Sequence, residues 1–280
     1  MLARRIPTIM PKLNFKESLE ITKIHSIAGE LSQDNPIIVQ RPFRMPHHTI
    51  SKSALIGGGK IPKPGEISLA HHGVLFLDEL PEFGKNLLEV LREPIEDEKV
   101  TIGRVNATVT YPSKFMLIAS MNPCPCGYYG STTKDCTCTQ EQIKKYMSRI
   151  SGPLLDRIDI QIEVPSIKYD SLENDKPESS ETIRKRVNKA REIQQNRYEK
   201  ENIFSNAMLT PKLMEKYCSI NAESKELLRK VFDNLGLSAR AYGRILKVAR
   251  TIADLDGKKE IQKNHIAEAV QYRNLDKKYF

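Results

Sequence analysis

The chain has 280 residues, 44 basic against 35 acidic side chains for a net charge of +9, and 39% hydrophobic with 28% charged residues. That length supports two domains with cores of their own, and the basic excess favours polyanionic partners such as nucleotides or nucleic acid. No apolar run approaches a membrane span, and Pro7 and Pro11 interrupt the sequence that follows Arg4 and Arg5, so neither a membrane protein nor an exported one is expected and the location predicted is cytoplasmic.

Residues 1–11 read as a short helix stopped by Pro11. Asn14, with Glu17 three positions on, forms a capping-box pair that opens a helix to about Ala28. Over 37–67 the residues run R-P-F-R-M-P-H-H-T and then I-G-G-G-K-I-P-K-P-G-E-I, with no helical period, which predicts loops and hairpins. A strand at 74–78 follows, then a helix over about 85–96 with Leu87, Leu88 and Leu91 inward. The β-branched runs 99–102 and 105–111 flank Gly103-Arg104 as a hairpin. Residues 115–119 predict a second buried strand that ends at Ser120-Met121-Asn122, and 158–164 alternate as an exposed strand would.

The segment 166–180 is polar, acidic and of linker composition. Beyond it the pattern is helical: Thr210-Pro211 starts one helix, Gly236 ends another, and Ser238 caps a long one through Asp256 that Gly257 terminates. Strands mixed with helices, then helices alone, predict an α/β domain over 1–165, a linker over 166–180 and an all-α domain over 181–280.

Residues 74–79 read V-L-F-L-D-E. A continuous apolar run suits a strand buried on both faces of a parallel sheet, and acids at its C-terminal end lie where open α/β sheets bind ligands. Asp78 there suits a phosphate-bound Mg²⁺ and Glu79 an attacking water. The alternative is a core strand entering an acidic helix N-terminus, since Pro81 and Glu82 follow.

Four of the five cysteines, Cys124, Cys126, Cys136 and Cys138, form two C-x-C pairs in a turn-rich loop. Four thiolates so placed suit a structural Zn²⁺ of tetrahedral geometry; buried or redox-active thiols are the alternative. Cys218 stands apart on an expected helix as a small core residue. The pairs His47-His48 and His71-His72 lack the helical i,i+4 spacing of a metal site, and packing or capping is expected of them.

Taken together, R-P-F-R-M-P-H-H, P-G-E-I-S-L-A-H-H-G-V-L-F-L-D-E-L-P-E-F, M-N-P-C-P-C-G-Y-Y-G, R-I-S-G-P-L-L-D-R-I-D and S-A-R-A-Y-G-R-I-L-K-V-A-R-T-I-A-D-L resemble the magnesium-chelatase-like branch of the AAA+ ATPases, of the YifB/ComM type. The resemblance covers nearly the whole chain. It implies Walker B roles for Asp78 and Glu79, sensor 1 for Asn122, an arginine finger for Arg157 and sensor 2 for Arg240, around ATP and Mg²⁺. From the residues alone, Asn122 reads as an Asn-Pro turn, Arg157 equally as a surface ion pair with Asp156 or Asp159, and Arg240 as one more basic residue on an exposed helix face. The resemblance also implies a homo-oligomeric ring, a hexamer, with DNA as partner and pore hairpins carrying Lys52, Lys60, Lys63 and Arg104 to its phosphates.

One expected part is missing: no G-x-x-x-x-G-K-[ST] occurs, and G-G-G-K-I-P lacks the upstream glycine, the hydroxyl and the preceding strand. The resemblance implies a chain that begins just after this Walker A loop, with a central strand lost from the sheet and nucleotide affinity reduced. The expected function is ATP hydrolysis coupled to DNA remodelling or translocation, of a branch-migration helicase kind. A non-enzymatic zinc-stabilised interaction module and a metal-chelatase subunit are the alternatives.

Overall fold

A computed structural model describes residues 2–32, 34, 36–104, 107–131, 134–164, 177–235 and 238–273. The chain divides into two compact units, Met1–Arg157 and Ile158–Phe280.

In the first unit a 3₁₀ turn, Ala3–Arg5, runs into α1 (Ile6–Ile9). The Asn14–Glu17 capping box forms as expected: each side chain accepts the other's backbone N–H at 2.9 and 3.0 Å, opening α2 (Phe15–Ala28). Ile21 and Ile24 of α2 are buried, and Gly29 closes the helix in the left-handed region.

The segment expected to hold only loops and hairpins contains more. Phe43–Arg44 is a strand, β1, paired parallel to β4 (Val74–Leu77). A short helix α3 (Lys52–Ile56) follows, capped by Ser51, then the hairpin β2 (Gly57–Gly58) and β3 (Lys63–Pro64), then α4 (Glu66–Leu69).

The helix predicted over 85–96 is two helices, α5 (Lys85–Glu89) and α6 (Arg92–Asp97). Pro94 has no N–H to continue the ladder to Val90, so the chain breaks before it. Leu88 and Leu91 still point into the core. The antiparallel hairpin β5 (Lys99–Arg104) and β6 (Ala107–Pro112) then leads to β7 (Met116–Ala119). The hairpin tip, 105–106, and the side chain of Arg104 lie outside the described residues.

The main sheet has the order β1-β4-β7, all parallel, with β4 central and almost wholly buried. Val74–Leu77 align with Met116–Ala119 in register, so both strands end at the same level. β7 is an edge strand among the described residues, its Met116 half exposed. The unit ends with α7 (Gln140–Met147) and α8 (Gly152–Leu155).

In the second unit the strand expected over 158–164 is absent. The backbone is irregular, and the apolar side chains Ile160, Ile162 and Val164 face solvent, so no core rewards the alternating pattern. Helices follow: α9 (Ser180–Arg197), α10 (Pro211–Tyr217), α11 (Ala222–Leu235), α12 (Ala239–Leu255) and α13 (Lys263–Gln271). Residues 166–176 of the expected linker, and the helix stop at Gly236, fall outside the described residues.

Cys218 caps the end of α10 and is buried, as expected of a small core residue. The core gathers Ile245, Leu246, Ala249 and Ala253 of α12 against Leu228 of α11 and Ile266 and Ala269 of α13. Asp254, fully buried, is held by Arg197 and Arg250, with Asn206 donating to it at 2.8 Å.

Candidate functional site

Because β4 and β7 end level, the residues that follow them converge. Asp78, Glu79, Ser120, Met121 and Asn122 line one open cleft of about 230 Å³. Asp78 and Asn122, forty-four positions apart in sequence, thereby come to one place, where the apolar run and its twin strand put them. The Ser120 hydroxyl donates to Asp78 Oδ1, and the backbone N–H of Glu79 donates to the same oxygen at 3.2 Å. Leu80 N–H to Ser120 O (2.9 Å) and Ser120 N–H to Leu77 O (3.0 Å) continue the ladder past the strand ends.

Glu79 turns sharply, with φ of 55° in the left-handed region. A residue with a Cβ adopts this conformation at a cost of about 1–2 kcal/mol, and such positions cluster at functional sites. The turn throws the carboxylate out into solvent, 3.6 Å from Nδ1 of His48. His48 in turn lies against His47, the rings tilted by 34° with centroids 4.1 Å apart, and is set edge-on to Phe83. The sequence reading gave His48 only a packing or capping role; a histidine placed in space beside the acid is legible only once β1 is known to pair with β4. Tyr146, from α7, is the other residue not anticipated. Burial pushes its phenol upward, with Glu82 adding to this, while the backbone of Asn122 hydrogen-bonds it.

Arg157 is not on the surface. It ends the first unit with a side chain 4% exposed, ion-paired at 2.6 Å to Glu96 and donating to the carbonyl of Pro153. It thus pairs with an acid distant in sequence, which the surface reading did not offer, while Asp159 receives Arg244 at 2.6 Å. Arg240 lies in the second unit, exposed on the first turn of α12, which Ser238 caps through the N–H of Ala241. Lys52, Lys60 and Lys63 are exposed on α3 and the β2–β3 hairpin.

That hairpin packs on its neighbour. Tyr111 donates its hydroxyl to Pro62 O at 2.7 Å, and a Cβ on Gly57 (φ 113°) would stand 2.7 Å from Ile102 Cδ1 and 2.4 Å from Lys63 O. Only glycine fits so tight a crossing.

The four loop cysteines come together. Sγ–Sγ separations are 3.3 Å (Cys124–Cys126), 3.7 Å (Cys124–Cys136) and 3.5 Å (Cys126–Cys136), and all four sulfurs lie within 4.8 Å of one another. Thiolates bound at ~2.3 Å around one tetrahedral ion stand about 3.8 Å apart, whereas a disulfide needs ~2.05 Å. The donor set and spacing therefore fit zinc. The backbone N–H groups of Tyr128 and Thr137 bring the Cys126 thiol down to about 5. Cys136 is pushed up to about 12: a backbone N–H at Cys138 favours its thiolate, but burial and the thiols of Cys126 and Cys124 outweigh it.

A second cluster, Glu20 with His71 and His72, does not suit a cation. Nε2 of His71 and of His72 lie 3.3 and 2.9 Å from Glu20 Oε2. The backbone N–H of Lys114 donates to His71 Nδ1 at 3.0 Å, so the neutral ring carries its proton on Nε2 and has no lone pair there for a metal. These histidines bind α2 to the start of β4, the packing role expected of them.

A three-stranded parallel sheet with acids at the end of its central strand, followed by a separate helical unit, is the architecture of an AAA+ α/β domain and its helical domain. The model of the family "Magnesium chelatase, subunit ChlI" matches residues 1–172, and that of its C-terminal part, "Magnesium chelatase, subunit ChlI C-terminal", matches 177–273. The chain belongs to this magnesium chelatase ChlI family. It is 47% identical over 278 residues to the competence protein ComM of Haemophilus influenzae, covering 98% of this chain and 53% of that one. It is 46% identical over 279 residues to the uncharacterized protein YifB of Escherichia coli, covering 99% and 54%. Similarity to the chloroplastic magnesium-chelatase subunit ChlI of Oryza sativa is 32% over 72 residues, 26% of this chain and 17% of that one. The chain spans about half the length of the ComM and YifB relatives it matches. Among the described residues, no helix is long and apolar enough to cross a membrane.

Proposed function

We propose that the chain is the subunit of a ring-forming, hexameric AAA+ ATPase that couples ATP hydrolysis to movement along or remodelling of DNA. The observation that supports this most directly is the meeting of Asp78, Glu79 and Asn122 in one cleft beyond two parallel strands. Asp78, one oxygen engaged by Ser120, has the other for Mg²⁺, a hard cation that prefers carboxylate and water oxygens. When bound, the ion neutralises charge spreading over the transferring phosphoryl group. Glu79, exposed and turned outward, orients the attacking water and accepts its proton. Asn122, able to donate and accept, holds that water or the terminal phosphate.

Arg240 serves the phosphates as sensor 2. Arg157 serves a neighbouring subunit's nucleotide as the finger, and must first release Glu96. Lys52, Lys60, Lys63 and Arg104 contact DNA phosphates without reading sequence. The cysteine loop holds a structural zinc. With no G-x-x-x-x-G-K-[ST] among its residues, this chain by itself binds nucleotide weakly and turns it over slowly.

Mg²⁺-dependent ATP binding and turnover of the chain and of Glu79→Gln, followed to millimolar nucleotide, test the reading. The expected result is slow turnover that Glu79→Gln abolishes while binding persists. Equal turnover in both proteins, or no binding in either, overturns it and leaves a zinc-stabilised interaction module.

A further inference from the structure

Asn122 is not held by the sheet that delivers it. β7 ends at Ala119, and the last ladder bonds beyond it are made by Ser120. Asp78 and Glu79, by contrast, follow the central strand between Leu77 and Leu80, whose backbones both bond to Ser120, and Asp78 also accepts the Ser120 hydroxyl. What surrounds Asn122 is the cysteine loop. One residue after it comes Pro123, then Cys124, which is fully buried and whose sulfur and carbonyl accept the N–H groups of Tyr129 (3.4 Å) and Gly127 (3.0 Å). Gly127, at φ 83°, turns the loop back so that a Cβ there would stand 4.0 Å from Cγ of the Asn122 carboxamide. The far end of the loop runs from Cys138 into Thr139, the cap of α7, and α7 brings Tyr146 to the Asn122 backbone. Asn122 is thus bracketed by the two ends of one loop.

That loop has almost nothing apolar to hold it shut. Of its described residues between Pro123 and Thr139, only Cys124 is buried. A polar segment of this length does not repay its ordering entropy by burial, and a metal that binds the folded site alone supplies the difference as folding free energy.

We infer that metal binding by Cys124, Cys126, Cys136 and Cys138 is what fixes Asn122 in the Asp78–Glu79 cleft, making the cysteine loop a positioning element of the candidate nucleotide site and the state of its thiols a control on it. The inference rests on the zinc and cleft readings above, but it is tested on backbone protection, which does not depend on turnover. Loss of the metal frees Asn122 and leaves the acids in place.

Hydrogen exchange of the 280-residue chain, loaded with Zn²⁺ and then stripped with a chelator, decides the matter. The expected result is one bound zinc per chain and exchange at Met121, Asn122 and Gly127 faster by about tenfold or more after stripping, with Leu75 to Leu77 unchanged. Cys136→Ser should reproduce the stripped pattern; the chelation arm stands alone if that variant fails to fold. Faster exchange confined to 134–138, with Asn122 unaffected, leaves zinc in place but overturns the coupling. A uniform rise across β4 and β7, or a protein that binds no zinc, overturns it as well. Inactivity of the same protein toward ATP would count against the proposed hydrolysis without touching this result.

Discussion

Nδ1 of His48 stands 3.6 Å from the carboxylate of Glu79, joining the loop after β1 to the acid after β4. Glu79 is exposed and held in a left-handed turn, so this imidazole restrains where its carboxylate points. If Glu79 orients a water, His48→Ala should lower turnover at saturating nucleotide by about tenfold with nucleotide affinity preserved, the effect expected of lost positioning. His48→Gln should retain part of the rate. Steady-state kinetics and nucleotide titration together check this, and an unchanged rate removes His48 from the site.

Arg157 combines a proposed role in trans with a structural one in place. Removing it strips a buried guanidinium from Glu96, itself 40% exposed, so Arg157→Ala should lower stability by about 1–3 kcal/mol, less than for a wholly buried pair. Glu96→Gln, which leaves the buried guanidinium without its counter-charge, should cost at least as much. Denaturant titration of both variants measures this. A fully stable Arg157→Ala would show that the ion pair contributes nothing and that loss of activity in that variant is purely functional.

The His71 ring gives a pH dependence of definite sign. Burial, with His72 adjacent and Lys114 nearby, brings it down to about 4 from 6.5, although Glu20 pulls the other way. The unfolded chain therefore takes up this proton first as pH falls. The stabilisation is complete above pH 6.5 and is lost progressively between about 6.5 and 4, amounting to about 3 kcal/mol. Glu20, whose burial is outweighed by hydrogen bonds from His72 and His71, titrates below its usual range and adds a loss of the same sign at lower pH. Unfolding free energies of the wild type and His71→Gln at pH 7, 6 and 5 test this, with the variant expected to show the flatter profile. Parallel profiles would refute the assignment.

In the helical unit, Asp254 carries two arginines and an asparagine in a fully buried position. Asp254→Asn keeps the volume but leaves Arg197 and Arg250 without their counter-charge, and should destabilise the unit by about 3–5 kcal/mol. Thermal unfolding followed by circular dichroism gives the measurement. A variant with wild-type melting would mean that solvent reaches the arginines and compensates them.

The lysines of the β2–β3 hairpin are open to a salt test. If Lys60 and Lys63 meet DNA phosphates, Lys60→Ala with Lys63→Ala should weaken binding equally for unrelated sequences and reduce the slope of log affinity against log salt by about 1–2. Tyr111→Phe, which loosens the hairpin packing through Pro62, should weaken binding less and leave that slope alone. An unchanged slope in the double variant removes the hairpin from the DNA-contacting surface.

What could be read in the sequence was local. The apolar run before Asp78-Glu79 and its twin before Asn122 marked both strands, and level pairing then followed from the parallel sheet. The Asn14 capping box and the clustered cysteines were visible because their partners are two to fourteen residues away. Phe43–Arg44 was not recoverable: two residues carry no periodicity, and their pairing with β4 is decided by the Pro42 carbonyl accepting from Val74 at 2.8 Å. The His48–Glu79 contact and the Arg157–Glu96 pair failed to announce themselves for the same reason, being products of tertiary placement. The alternation at 158–164 misled because a period of two describes side-chain direction and says nothing about whether a neighbouring strand is present.

The half-exposed Met116 and the open flank of β7 carry a practical consequence. A row of backbone donors and acceptors with no neighbouring strand among the described residues is a template for any extended segment that meets it, another copy of this chain included. Concentrated solutions of the 280-residue polypeptide should accordingly tend toward sheet-mediated association, and a charged side chain at position 116 is the simplest way to keep it dispersed.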